Sequence, residues 1–214
     1  MNESQARQED ARPLLRFPLP PPRTTGGPAL SEALASRASL RRFLASPVSR
    51  EDLAQILWAT DGVIPGTGRR AAPSAGGTYP LEVRAVLGDV PGLPPGIHRY
   101  LPGEHSIEQE SEGDRRTELM AATVGQADLA VAPVIVVISA VPDRTTARYG
   151  PRGIPYVLLE AGHAAQNLCL QVTALGLGTV PIGAFRDDAL RRVLSLHPDE
   201  QPLYLLPVGL PLLG

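Results

Sequence analysis

Three stretches of this 214-residue chain carry residues whose types and spacing could do chemistry. The first is Arg37-Ala38-Ser39-Leu40-Arg41-Arg42-Phe43. In an extended segment alternate side chains point the same way, so Arg37, Ser39 and Arg41 can offer two guanidiniums and a hydroxyl to one anion. The same residues also fit a solvated basic connector. The second is Ala72-Pro73-Ser74-Ala75-Gly76-Gly77-Thr78-Tyr79-Pro80. A loop of such small residues lets backbone groups approach a flat ligand, and it equally suits a turn-rich connection. The third runs from Glu160 to Phe185 and opens Glu160-Ala161-Gly162-His163-Ala164-Ala165-Gln166-Asn167. Polar groups on a buried helix need partners. A cofactor or a second subunit could supply them; internal hydrogen bonding is the simpler reading for His163.

What is missing narrows the chemistry. All 20 basic residues are arginine, so lysine-dependent mechanisms, pyridoxal phosphate enzymes and Walker A loops are excluded. Any anion held by a charged side chain is held by arginine, whose planar fork suits phosphate. His98, His105, His163 and His197 lack metal-ligand spacing, and one cysteine, Cys169, makes neither a zinc site nor an internal disulfide. No metal is expected. A Gly-x-Ser-x-Gly elbow is absent, and Gly176-Leu177-Gly178 with Gly183 misses the dinucleotide-binding spacing. The net charge of -2 gives no reason to expect nucleic acid or an acidic membrane surface as partner. No apolar run is long enough to span a bilayer, the N-terminus has no signal-peptide core, and a cytoplasmic location is expected.

The surrounding pattern predicts how these stretches are held. Residues 1–28 read as a Pro-rich N-terminal arm, disordered at its very start, that lies along the body or a partner subunit. Residues 29–214 read as one domain. A short helix is predicted over 30–37. A second starts at the Ser49-Arg50-Glu51-Asp52 signature and ends at Gly62. Leu81, Val83, Ala85 and Leu87 alternate inward with Glu82 and Arg84 outward, predicting a strand. Residues 88–113 read as irregular, with a hairpin near Pro102-Gly103. A helix over 114–124 and a central strand over 131–140 follow. The longest helix is predicted over 156–175, apolar around much of its circumference and therefore buried, with small residues around Gly162 that permit a close helix contact. A short strand over 180–182, a helix over 187–196 and a strand over 203–208 complete an α+β pattern with few strands and many helices.

Taken in order, the motifs resemble the nitroreductase superfamily, and within it the SagB-type azoline dehydrogenases. They are Arg-x-Ser-x-Arg-x-Phe at 37–43, Pro-Ser-Ala-Gly-Gly-x-Tyr-Pro-Leu-Glu at 73–82, His-Arg-Tyr at 98–100, Tyr-Gly-x-Arg at 149–152, Leu-Glu-Ala-Gly-His-Ala-Ala-Gln-Asn-Leu at 159–168 and Leu-Gly-Leu-Gly-Thr-Val-Pro-Ile-Gly-Ala-Phe at 175–185. The resemblance implies an α+β, nitroreductase-like fold: a central, mostly antiparallel sheet flanked by helices in an intertwined homodimer, with FMN at the subunit interface. It implies that Arg37, Ser39 and Arg41 hold the phosphate and polar ring edge, and that Pro73, Ser74 and Ala75 reach the flavin from the other subunit. Gln126 would meet the pyrimidine edge, and Ile182, Gly183 and Ala184 would lie against the ring.

The implied activity is FMN-dependent oxidation of a small or carrier- or peptide-bound heterocycle, azoline to azole, with dioxygen reoxidising the flavin. NAD(P)H-dependent reduction of a nitro compound, quinone or enone is the alternative, and an inactive FMN-fold subunit of a complex is a third. The azoline dehydrogenases carry a Lys-Tyr pair just before Gly-x-Arg, and here it is Arg148-Tyr149. Arginine stays protonated, which leaves Tyr149 as the candidate for proton removal.

Overall fold

The computed structural model describes residues 14–212. The expected disordered start of the arm lies outside the described residues. Seven strands form one sheet in the order β1-β4-β3-β2-β5-β7-β6, with every neighbouring pair antiparallel. They are β1 (Arg16–Pro18), β2 (Leu81–Leu87), β3 (Gly96–Leu101), β4 (Ser106–Glu112), β5 (Val134–Ala140), β6 (Gly178–Thr179) and β7 (Gln201–Gly209). The helices are α1 (Leu30–Ser36), α2 (Arg50–Asp61), α3 (Arg116–Ala121), α4 (Asp143–Tyr149), α5 (Gly153–Ala174) and α6 (Asp187–Leu194).

The apolar run of β5 is continuous because helices cover both faces of the sheet. Val134, Val136, Ile138 and Ala140 enter a core with Leu53, Ile56 and Leu57 of α2 and Val157, Ala161, Leu168 and Val172 of α5. Ile135 and Val137 enter a second core with Leu119 and Met120 of α3 and Leu190 and Leu194 of α6. A period-2 strand between two covered faces has no solvated side. This corrects the outward reading of Arg84. Its neighbours Val83 and Ala85 face the α2 and α5 core as expected, but Arg84 is itself only 5% exposed. It donates to Glu110 (2.7 Å) and Ser139 (3.2 Å) and pairs with Glu200.

The sheet is larger than the sequence pattern indicated. Residues 88–113 are not irregular: they contain β3 and β4, joined by a turn at 102–105 where the hairpin was expected. The alternation is masked because His98, Glu108 and Gln109 are polar yet buried. Helix α4 was also unforeseen; it starts directly after Pro142. Helix α5 begins three residues before the expected Tyr156, because Pro155 falls in its first turn, where no backbone N–H is required.

The described part of the arm lies along its own chain. Arg16–Pro18 pairs with β4, Leu19 N–H donates to the His105 carbonyl (3.0 Å), and Leu19 is buried. His105 Nε2 donates to the Pro20 carbonyl (2.8 Å), which leaves Nδ1 to accept from the Tyr100 hydroxyl (2.8 Å).

His98 is fully buried, its Nε2 has no partner among the described residues, and burial pushes its pKa down to about 4. The unfolded chain therefore binds a proton near pH 6.5 that the folded chain refuses, and stability falls as pH drops from 6.5 toward 4. The loss between pH 7 and pH 4.5 is about 2–3 kcal/mol. Asp61 works in the opposite sense: burial raises its carboxyl to about 7, so its contribution declines as pH rises from 3.8 through 7. The expected result is that His98→Leu gains about 2–3 kcal/mol on the wild type over this interval in urea denaturation. A wild-type-to-variant difference that ignores pH would show that His98 protonates as easily folded as unfolded.

Candidate functional site

The residues singled out in the sequence form two groups. The first is built on the edge of the sheet. Arg37 ends α1 and turns the chain extended (φ -58°, ψ 122°). Leu40 N–H then donates to the Thr179 carbonyl (3.0 Å), Ser39 bridges Thr179, and buried Phe43 bridges Pro211. Phe43 thus pins the segment that carries Arg37, Ser39 and Arg41. Ser39 and Arg41 are exposed and Arg37 is half-buried. Burial pushes the Cys169 thiol up, and the nearby Arg37 guanidinium opposes that push. Among the described residues no acidic side chain pairs with Arg37 or Arg41. Beside Ser39, the buried Thr179 Oγ1 has no partner among the described residues.

Ile182 belongs to the same group. It is buried and exchanges two backbone hydrogen bonds with Leu205 (2.8 and 3.0 Å). The chain then emerges, so that Gly183 and Ala184 are exposed and a Cβ on Gly183 would meet nothing within 4 Å. The Ala184 carbonyl accepts from Val124 N–H (2.9 Å), which draws the loop carrying half-buried Gln126 to this end.

The second group surrounds the glycine loop. Gly76 and Gly77 adopt φ +60° and +66°, a conformation that suits glycine. Pro73 is exposed, while Ser74 and Ala75 are half-buried. Arg148 donates to the Gly76 carbonyl (2.9 Å). A Cβ on Gly76 would collide with the Tyr149 hydroxyl oxygen, so the loop and Tyr149 are in close contact. Tyr149 also packs edge-on against Tyr156 (5.2 Å between centroids). Helix α4 is what delivers Arg148 and Tyr149 here. Among the described residues no hydrogen bond or ion pair joins this group to the first.

A buried polar cluster beneath the loop was not foreseen as part of the site. Asp61, at the end of α2, pairs with Arg70, and the Arg70 guanidinium lies 4.8 Å from the Tyr79 ring centroid. Tyr79 N–H donates to Ser74 Oγ (2.9 Å). Glu160 of α5 is 3% exposed, and its Oε2 has no partner among the described residues. Burial raises the Glu160 carboxyl, opposed by the neighbouring Ser74 and Ala75 and by Arg70. The signal for Glu160 was present, as an acid on a helix face that reads as buried. Asp61 and Arg70 gave none, since a helix-terminal acid and a loop arginine read as solvated. Internal hydrogen bonding does not describe His163, which is exposed on α5, whereas Asn167 donates to the Ala71 carbonyl (3.2 Å).

Comparison with known proteins follows this geometry. Residues 34–210 match the model of the nitroreductase family. A nitroreductase-type protein of Methanocaldococcus jannaschii is 43% identical over 180 residues, covering 84% of this chain and 90% of the relative. The crystal structure of a nitroreductase-type protein of Ralstonia eutropha superposes with a TM-score of 0.80 at 29% identity, covering 93% of this chain and 90% of that one. A chain of the Escherichia coli microcin synthetase complex, solved with truncated precursor peptide bound, shares the fold with a TM-score of 0.73 at 19% identity, covering 96% and 79%. The antiparallel sheet, the motif order and the match over most of the length agree: the chain belongs to the nitroreductase family and is an oxidoreductase of that superfamily.

Proposed function

We propose that this protein is an FMN-dependent dehydrogenase of the SagB type, acting on a small or carrier- or peptide-bound azoline-like heterocycle. In this reading each site combines the arginine segment of one protomer with the glycine loop of its partner. The observation that carries it is the seating of Tyr149 and Arg148 on Gly76, in the loop assigned by resemblance to the flavin.

The residues present fit FMN. A phosphate requires cationic donors without acidic partners, and Arg37 and Arg41 meet that requirement, with Ser39 and the orphaned Thr179 hydroxyl beside them. The open space over Gly183 admits a flat ring, and the exposed Gly183 and Ala184 N–H groups are suited to negative charge on its reduced form. Assembly into a dimer is supported by apolar side chains left exposed one turn apart on two helices, Ile154 and Leu158 on α5 and Leu30 and Leu34 on α1. Gly162, with nothing within 4 Å of its Cβ position, leaves room on α5 for another helix. Among the described residues no helix is long and apolar enough to cross a membrane.

When bound, FMN would supply hydride acceptance and pass its electrons to dioxygen. The chain's own contribution is proton removal and positioning. The Tyr149 hydroxyl takes the proton of the carbon being oxidised and hands its own to water. Arg148 holds the Gly76 carbonyl and so orders the loop.

Anaerobic, FMN-loaded protein should be bleached by thiazoline or oxazoline compounds. Absence of bleaching by any of them would remove the dehydrogenase reading. Tyr149→Phe should keep the flavin bound and slow bleaching about a hundredfold; an unchanged rate would make Tyr149 a packing residue. The 43% identity to the archaeal nitroreductase-type protein favours a second reading, reduction of nitro compounds, quinones or enones by NAD(P)H. Rapid bleaching by NADPH would select it.

A further inference from the structure

Strands β2 and β3 part at one end of the sheet. β2 pairs with β5 along its whole length, from Leu81 opposite Ala140 to Leu87 opposite Val134, but with β3 only from Arg84 onward. β3 in turn pairs with β4 as far as Leu101. No ladder joins Leu81, Glu82 and Val83 to Tyr100 and Leu101, and a cavity of about 260 Å³ opens between them. Leu81, Val83 and Tyr100 belong to the core with α2 and α5. Their neighbours Glu82 and Arg99 point to the opposite face, because side chains alternate along a strand. Arg144 of α4 joins them by pairing with Glu82. Asp61 and Arg70 also line the cavity and pair with each other.

Arg99 is the unmatched member. Across the ladder it has Arg84 on one side and Glu108 on the other. Arg84 carries the same charge, and Glu108 is taken by Arg16 (2.8 Å). Among the described residues no carboxylate pairs with Arg99, and its buried Nε has no hydrogen-bond partner. Leaving a buried donor of a charged group unpaired is costly, and like charges directly opposite across a ladder add to the cost. On this face the cavity has two guanidiniums, Arg99 and Arg144, against one carboxylate, Glu82. Water would answer the hydrogen bond and leave the charge. An oxyanion answers both, since a guanidinium fork takes two oxygens at once.

We propose that this cavity binds a small oxyanion, a carboxylate or a phosphate group, held by Arg99 with Arg144 beside it. The site shares no residue with the arginine segment at 37–41 and goes beyond the flavin reading.

The test follows the Arg99 Nε–H resonance of the full chain by nitrogen–proton NMR at pH 7.5 and fixed ionic strength, the signal being the one absent from Arg99→Gln. Inorganic phosphate and acetate are titrated separately. The resonance should move and saturate at millimolar concentrations of one of them. Saturation by phosphate marks a phosphate-bearing ligand and saturation by acetate a carboxylate; either sustains the site. Arg144→Gln should weaken the titration about tenfold, the loss of one charge-assisted hydrogen bond. The Arg144 side chain is 43% exposed, so the fold survives its replacement. Arg115→Gln, which removes the same charge from an exposed ion pair with Glu118, should leave the titration unchanged. So should Arg37→Ala, which separates this cavity from the proposed FMN phosphate site. No saturable movement with either anion, equal affinity in Arg144→Gln, or an equal loss in Arg115→Gln overturns the proposal. A movement abolished by Arg37→Ala would belong to the flavin site and overturns it too. If the protein takes up no FMN, the cofactor reading fails alone, and this titration still decides the cavity.

Discussion

Replacing Arg37 by alanine is expected to weaken FMN binding about thirtyfold and to leave the fold intact. A hydrogen-bonded ion pair with phosphate contributes about 2 kcal/mol net, which is a factor of about thirty. The fold should not suffer, because Arg37 makes no ion pair among the described residues and is only half-buried. Its removal deletes a charge that nothing internal balances. Arg41→Ala should behave similarly, and the double variant should lose the flavin on gel filtration. Retained yellow colour and unchanged affinity in Arg37→Ala would place the phosphate elsewhere. A fall in both thermal stability and affinity would mean that Arg37 supports the structure and not the ligand. Rising salt should weaken FMN binding in the wild type more than in the variant, since fewer charges remain to be screened.

The second large effect lies far from the loop. Arg84→Ala should destabilise the protein by about 3–5 kcal/mol, because it leaves Glu200 buried without its cationic partner. The pair itself adds little over an apolar replacement, but breaking it leaves an uncompensated charge. Glu110 loses the same guanidinium, at less cost because it is partly solvated. The expected signature is a thermal midpoint lower by about 10 °C, with a large recovery when Glu200→Gln is added to Arg84→Ala. A shift below about 1 kcal/mol, or additive losses in the double variant, would show that Glu200 finds water in the single variant.

The elements legible in the sequence were those in which one face decides the residue type. Helix α2 announced itself by the Ser49 cap, and Ser49 Oγ does accept from Asp52 N–H (3.0 Å). Strand β5 was visible because both its faces are apolar, and α6 because Leu190 and Leu194 lie one turn apart. Strands β3 and β4 were hidden because they bury polar side chains, His98, Glu108 and Gln109, whose partners or shielding come from elsewhere in the sheet. Helix α4 was hidden because a segment of seven residues after a proline has too few turns for periodicity to register.

The candidate site divides along the same line. By itself the sequence determined which chemistry is available: arginine as the only side-chain cation apart from histidine, a glycine loop that permits close approach, and an ordered set of motifs that belongs to one family. These are properties of residue type and local spacing, which a linear chain displays directly. Only the tertiary structure decided who meets whom. It placed the arginine segment beside Thr179, and the glycine loop beside Tyr149, residues about 70 to 140 positions apart. It also turned Arg84 inward and left His163 outside. The physical reason is that burial and pairing are set by what the other elements bring to the same place, and a covered second face of the sheet or an ion pair such as Asp61 with Arg70 leaves no local mark.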